Sequence, residues 1–201
     1  MSLIAKLLGK SRICSMQLPP ALYRWWFLLL ERSNHRAIEL GEGVGFHVPV
    51  RSGGRGTLRV GKGTQFGYAL AHRLGTGEIM LQPRAAEAEI VIGEDNWFNN
   101  NTMLCAMQSI RVGNECRIGD NVAIMDADFH EINPATRNRS VGEVKPVKIG
   151  NRVWIGSRAM ILKGVTIGDN SVVGAMSLVT KDIPANCVAA GVPAKVVRQI
   201  E

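Results

Sequence analysis

A chain of 201 residues that is 46% hydrophobic and 20% charged is long enough for one domain with a real core and is too balanced for disorder. The four cysteines, Cys14, Cys105, Cys116 and Cys187, include no C-x-x-C pair. That spacing argues against a disulfide framework and a zinc ribbon and makes the cytoplasm the expected compartment. The net charge of +7 is modest, and with no aromatic-basic motif a nucleic-acid function is not expected.

The charge is uneven. Residues 1–36 hold Lys6, Lys10, Arg12, Arg24, Arg32 and Arg36 against Glu31, together with the run Trp25-Trp26-Phe27-Leu28-Leu29-Leu30. Six apolar residues are far too few to span a bilayer, and no small-residue cleavage site follows an early apolar run. The segment reads as a basic helical unit, started by Pro19-Pro20, that packs its aromatic face on the body. A peripheral contact with a membrane or a lipid-linked acceptor is the sharper alternative.

From residue 37 a six-residue period begins weakly, at Leu40-Gly and Phe46, and is clear at Val60-Gly-Lys-Gly-Thr-Gln-Phe66-Gly. Arg51-Ser-Gly-Gly-Arg-Gly is a turn-rich interruption. Residues 72–89 break the register again and are expected to form a bulge or loop. The period returns at Ile92, Phe98 and Leu104, then at Val112, Ile118 and Ile124, with two extra residues between Leu104 and Val112 that require one widened corner. A polar excursion, 126–146, leaves after a complete coil and rejoins at the start of the next. A long loop inside a regular solenoid is more often functional than idle.

The period is strictest at Ile149-Gly-Asn-Arg-Val-Trp, Ile155-Gly-Ser-Arg-Ala-Met, Ile161-Leu-Lys-Gly-Val-Thr, Ile167-Gly-Asp-Asn-Ser-Val and Val173-Gly-Ala-Met-Ser-Leu. Neither a helix nor a simple strand gives that register. It predicts an all-β solenoid, a parallel β-helix over 37–188. Branched openers face the axis, a small or β-branched residue sits four later, and Gly, Asn or Asp turns the corners. Cys116 falls at a small-residue slot and reads as core. The residue before each opener points outward: Trp97, Met103, Trp154, Met160, Thr166, Val172 and Leu178 form an apolar row that calls for cover, most simply by self-association in a closed ring. Residues 189–201 read as a short basic tail folding back as a cap with a final helical turn.

At Ile149-Gly-Asn-Arg-Val-Trp-Ile-Gly-Ser, Gly164-Val-Thr-Ile-Gly-Asp-Asn-Ser-Val, Val179-Thr-Lys-Asp-Ile-Pro and Ala190-Gly-Val-Pro-Ala-Lys-Val-Val-Arg, the chain resembles the hexapeptide-repeat acyltransferases. Its nearest likeness is to the galactoside, maltose and surface-polysaccharide O-acetyltransferases. The resemblance runs from about residue 90 to the end. It implies a left-handed β-helix, a hand that strand-crossover physics alone would not choose, and a homotrimer with acetyl-CoA in grooves between subunits. It further implies that His130, in the polar loop, is the general base; imidazole suits proton transfer at neutral pH.

The same resemblance makes the Ser157 backbone N–H the oxyanion donor. Asp128 or Asp126, close before His130, is a candidate to orient the imidazole, Asp126 is also expected to meet the substrate, and Trp154 borders the pocket. Asn99 aligns with an acceptor-binding asparagine, with Asn100 and Asn101 leaving its register open. Ala175 and Thr180 are implied for pantetheine and adenine-side contacts, Lys181 and Arg198 for phosphates, and Lys195 adds a cation there. The expected reaction is direct acetyl transfer to a hydroxyl of a sugar, a lipid-linked sugar or a surface-polysaccharide precursor. No cysteine is placed for a ping-pong route.

Besides a non-catalytic scaffold, two rivals remain. One is N-acetylation of an amino sugar nucleotide at the same site. The other is a metal hydratase of the γ-carbonic anhydrase type, which needs three histidines on one ion. Only His35, His47, His72 and His130 exist. His72 and His130 are separated by about 10 Å at strand spacing, against zinc bonds of about 2.1 Å, so no metal is expected.

Overall fold

The computed structural model describes residues 19–31, 37–68 and 76–201. Cys14, His35 and His72, and the cations Lys6, Lys10, Arg12, Arg32 and Arg36, lie outside these residues.

From Ala37 the chain winds a three-faced prism of parallel strands. One face stacks Ala37–Leu40, Thr57–Val60, Glu89–Ile92, Ser109–Val112, Val147–Ile149 and Thr166–Ile167. The second stacks Gly45–Phe46, Gln65–Phe66, Trp97–Phe98, Arg117–Ile118, Trp154–Ile155 and Val172–Val173, then ends in Cys187–Gly191 and Ala194–Gln199. The third runs from Val50–Arg51 through Ile79–Pro83, Met103–Ala106, Ala123–Met125 and Met160–Ile161 to Leu178–Val179. The openers Ile149, Ile155, Ile161, Ile167, Val173 and Val179 are all buried, and so are the residues four later, Val153, Ala159, Val165, Ser171, Ser177 and Ile183. Cys116 is buried in the same kind of slot. Like residues therefore stack along the axis; on the second face Ile118 pairs Ile155, which pairs Val173.

Corner chemistry is more specific than turn tolerance. The left-handed backbone falls three residues after the opener, at Arg152 (φ 53°), Arg158 (φ 62°), Asn170 (φ 60°) and Met176 (φ 58°), where only Gly164 in this series removes the Cβ penalty. The glycine directly after the opener answers a different need. A Cβ on Gly156 would sit 2.5 Å from the Ala175 backbone nitrogen of the next coil, so coil stacking itself excludes a side chain there.

Residues 79–83 correct the expectation of a loop over 72–89: Ile79–Pro83 is a wall strand, paired with Val50–Arg51 on one side and Met103–Ala106 on the other. Its inward residues alternate every second position, Ile79, Leu81 and Pro83, and that short period hid it from a six-residue register. The tail is also different from its expectation. Ala194–Gln199 folds back antiparallel on Cys187–Gly191, so the second face closes with a hairpin and not with a helical turn. The β-branched Val196 and Val197, following a turn that begins at Gly191 (φ 107°), favour strand pairing.

At the other end, α1 (Pro20–Glu31) lies over the first coil. Phe27 is buried against Phe46 with ring centroids 5.1 Å apart. The stack continues through Phe66 (5.5 Å) and Phe98 (5.3 Å), so one aromatic column runs from the helix into the prism. The expected packing of the aromatic face holds for Phe27 but not for Trp25 and Trp26, which remain exposed. Among the described residues no helix is long and apolar enough to cross a membrane.

Candidate active site

Two features separate from the regular prism. The first is a groove of about 510 Å³ on the second face, lined among others by Trp97, Asn99, Arg117, Trp154, Ser157 and Ala175. Trp154 is 57% exposed along its wall. Four of the residues singled out from sequence, Asn99, Trp154, Ser157 and Ala175, thus meet in one place. The amide nitrogens of Ser157 and Ala175 donate no hydrogen bond among the described residues, and they border the groove on successive coils. Two such donors facing open space suit a developing oxyanion and an amide-bearing chain.

The three neighbouring asparagines are distinguished by their partners. Asn99 lines the groove, and its side-chain oxygen accepts the Asn100 N–H at 2.8 Å, which leaves its NH₂ unengaged among the described residues. Asn100 is buried, accepting the Tyr68 N–H (2.7 Å) and donating to the Thr76 carbonyl (3.1 Å). Asn101 turns the corner at φ 60° and donates to Asp120.

The second feature is the loop after Ala123–Met125. Its base is a short antiparallel contact, Ala127 with Val144, closed by the Asp128 N–H on the Glu143 carbonyl (3.1 Å) and the Lys145 N–H on the Asp126 carbonyl (2.8 Å). Gly142 (φ 69°) permits this closeness, because a Cβ there would fall 2.3 Å from the His130 carbonyl oxygen. His130 is exposed, and its Nδ1 lies 3.3 Å from the Arg137 carbonyl. A carbonyl only accepts, so this contact calls for a proton on Nδ1 and, in the neutral ring, leaves the lone pair on Nε2.

Both aspartates assigned near it take other roles. Asp128 pairs with Lys163 at 2.7 Å, and Lys163 also reaches Glu143 at 3.3 Å, so Asp128 anchors the loop and does not orient His130. That pairing, with Asp128 the larger influence, holds the Lys163 ammonium above its ordinary range, while the lysines around Glu143, Lys145 first, hold its carboxyl below the usual one. Asp126 is fully buried and accepts the backbone N–H groups of Met107 (2.7 Å), Gln108 (2.7 Å) and Ser109 (2.8 Å). It caps the widened corner between Leu104 and Val112 and cannot meet a substrate. Three amides freed by the two extra residues needed one acceptor, and the carboxylate beginning the next loop supplies it.

Within one chain the loop and the groove are apart: the hollow around His130 is lined by Phe129, Asn138, Arg139, Ser140 and Val141 and shares no residue with the groove. Thr180 and Lys181 are exposed beyond the third-face strand Leu178–Val179, outside the groove lining. Lys195 and Arg198 stand on the hairpin that extends the groove's own sheet, opposite Ala190 and Val188.

Three participants escaped sequence reading. Arg117 occupies the outward slot before opener Ile118, between Trp97 and Trp154 in the ladder, and could have been found by the same register rule. His47 stacks flat against Trp97 (centroids 6.0 Å, 8°) while its Nε2 engages Gln65, and Tyr68 meets Trp97 edge-on. No sequence signal pairs residues so far apart. Among the described residues no three of His, Cys, Asp and Glu come together to hold a metal. Cys105, Cys116 and Cys187 are free and buried, and burial pushes the Cys116 thiol up to about 11, far from a thiolate nucleophile.

A wound prism with an open groove and a displayed imidazole resembles the hexapeptide-repeat proteins, and its fold is the left-handed parallel β-helix. The family model for bacterial transferase hexapeptide, six repeats, matches residues 146–181. The chain is 43% identical to the galactoside O-acetyltransferase of Escherichia coli (strain K12) over 113 residues, 56% of this chain and 55% of that one. A hexapeptide-repeat-containing acetyltransferase from Vibrio cholerae superposes with TM-score 0.62 at 25% identity, covering 92% of this chain and 84% of that one. A galactoside acetyltransferase solved in complex with coenzyme A gives TM-score 0.56 at 25% identity, covering 100% and 92%. The chain spans about half the length of the curated relatives it matches (52–57%). The resemblance drawn from the repeat motifs is upheld.

Proposed function

We propose that the protein is an acetyl-CoA-dependent O-acetyltransferase acting on a hydroxyl of a sugar or surface-polysaccharide precursor. The observation that carries this reading is His130, exposed on an anchored loop with Nδ1 bound to a carbonyl and Nε2 free. Nε2 removes the acceptor hydroxyl proton as the oxygen attacks the thioester carbonyl. The resulting oxyanion meets the unengaged Ser157 N–H, and the intermediate collapses with release of the CoA thiol, which takes the proton back from the imidazolium. No residue is acylated.

Because His130 and the groove are apart in one chain, the reading requires a neighbouring copy, in a closed homotrimer, to carry its loop to the groove. The exposed apolar row that includes Trp154 and Met160 supports such cover. Asn99 and Trp154 would meet the acceptor, Ala175 the pantetheine, and Lys195 and Arg198 the phosphates, with Thr180 and Lys181 reached from the neighbouring corner. A cytoplasmic site of action goes with that donor.

The test is CoA-thiol release from acetyl-CoA against a panel of sugars and sugar nucleotides, with and without a free amine. We expect hydroxyl-only acceptors to turn over and His130→Ala to lose about 10²–10⁴-fold without a change in melting. Full turnover by His130→Ala, or turnover only on amines, would overturn the reading.

A further inference from the structure

α1 is inverted relative to an ordinary surface helix. Leu22, Trp25, Trp26, Leu29 and Leu30 follow the i, i+3, i+4, i+7, i+8 spacing of a single helix face, and that face points away from the prism: Trp25 is 58% exposed, Trp26 55% and Leu29 59%. The opposite side holds Phe27 in the core and Tyr23 and Leu28 against it. A monomeric soluble protein rarely leaves two tryptophans and three leucines together in water. The stripe also has depth. Trp26 and Leu30 continue into a crevice of about 210 Å³ lined by Tyr23, Phe27, Pro49 and Val50.

We infer that this face is a docking surface for an anionic lipid bilayer, with α1 lying in the interfacial plane and its tryptophans at headgroup depth. Charge selects that occupant. Residues 1–36 carry six cations against Glu31, so five of the chain's seven net positive charges sit beside the stripe in sequence. Residues 1–18 contribute Lys6, Lys10 and Arg12 with no carboxylate. Each cation near an anionic leaflet adds to binding.

A second copy of the chain fits less well. A twelve-residue helix is about 18 Å long and ~10 Å wide, so the stripe offers on the order of 200 Å², against ~800 Å² per partner in a stable interface. A two-fold contact would also bring two cation-rich segments together. The surface lies at the first coil, away from the groove, and its existence does not depend on the proposed reaction. Its consequence would be to hold the enzyme where a lipid-linked acceptor is displayed.

The test is flotation of the full chain with phosphatidylcholine vesicles, with and without phosphatidylglycerol, alongside tryptophan emission. We expect binding to the anionic vesicles with a blue shift, weakening as salt is raised. The double substitution Trp25→Ser with Trp26→Ser should reduce partitioning about tenfold or more and leave melting and CoA release with a soluble acceptor unchanged. Absence of flotation with either vesicle would overturn the inference, as would flotation indifferent to the double substitution. A change of assembly mass in the variant would assign the stripe to a contact between copies instead.

Discussion

Residues 147–183 and residues 37–112 build the same prism by different means. The later coils keep the hexapeptide strictly, and their corners are closed by coil-to-coil backbone bonds such as Gly150 N–H to the Ile167 carbonyl and Gly156 N–H to the Val173 carbonyl, both 2.8 Å. The earlier coils vary in length, and several buried polar side chains add to that work, as Ser171 does for the later coils by donating to the Pro184 carbonyl. Ser52 donates to the Leu81 carbonyl, Thr64 to Gly93, and Asn96 accepts the Cys116 N–H. At the widened corner between Leu104 and Val112, Asp126 takes three amides at once. The prism therefore needs a buried opener and a small partner four later; it does not need the motif. Corners are free to lengthen wherever something satisfies the amides released, and the histidine loop grows from such a corner.

The comparison breaks most clearly at Asp126. Asp126→Ala leaves three part-buried N–H groups without their acceptor, each costing about 1 kcal/mol, so we expect destabilisation of about 3 kcal/mol, read as a fall in melting temperature and in denaturant midpoint. In the strict half the corresponding carboxylate is Asp169, which accepts the Asn151 N–H at 2.8 Å but is only half-buried. Asp169→Ala should cost about 1 kcal/mol or less. A core change in the regular coils falls between these two. Ile155→Val removes one methylene from a filled slot and should cost about 0.5–1.5 kcal/mol.

The Asp169 site also responds to acid. The Asn151 backbone N–H holds the Asp169 carboxyl below the ordinary carboxylate range. Its contribution is present above the unfolded value and is lost as pH falls through the lowered one. The stability gap between wild type and Asp169→Asn should therefore close only in strong acid.

The smallest expected stability effect is at Lys163, whose pairs are partly exposed. Lys163→Met should alter melting little, yet it should free the loop, seen as faster amide exchange over 127–146 and reduced turnover. With Glu143 lowered and Lys163 raised, the anchor is complete above the ordinary carboxylate range and below the ordinary lysine range. It is lost only as pH falls through the lowered Glu143 value or rises through the raised Lys163 value. Amide exchange of the loop in wild type should thus stay flat between those limits, and a loss of protection near neutrality would refute this role.

What the sequence determined alone is the prism from about Ile92 onward, its inward and outward rows, the widened corner after Leu104 and the loop holding His130. Each is carried by local period, and period survives in one dimension because a solenoid contacts only its neighbouring coils. The strand Ile79–Pro83 was lost where the period changed from six to two. Tertiary structure alone decided what Asp126 and Asp128 do, since an acceptor's role is set by the donors that the fold brings to it, here amides 17 to 19 residues away and Lys163, 35 residues away. It alone decided which proton His130 carries, which asparagine faces the groove, and that α1 turns its tryptophans outward while sinking Phe27. These are facts of distance and direction between chain-remote groups, and no local pattern of side chains encodes them.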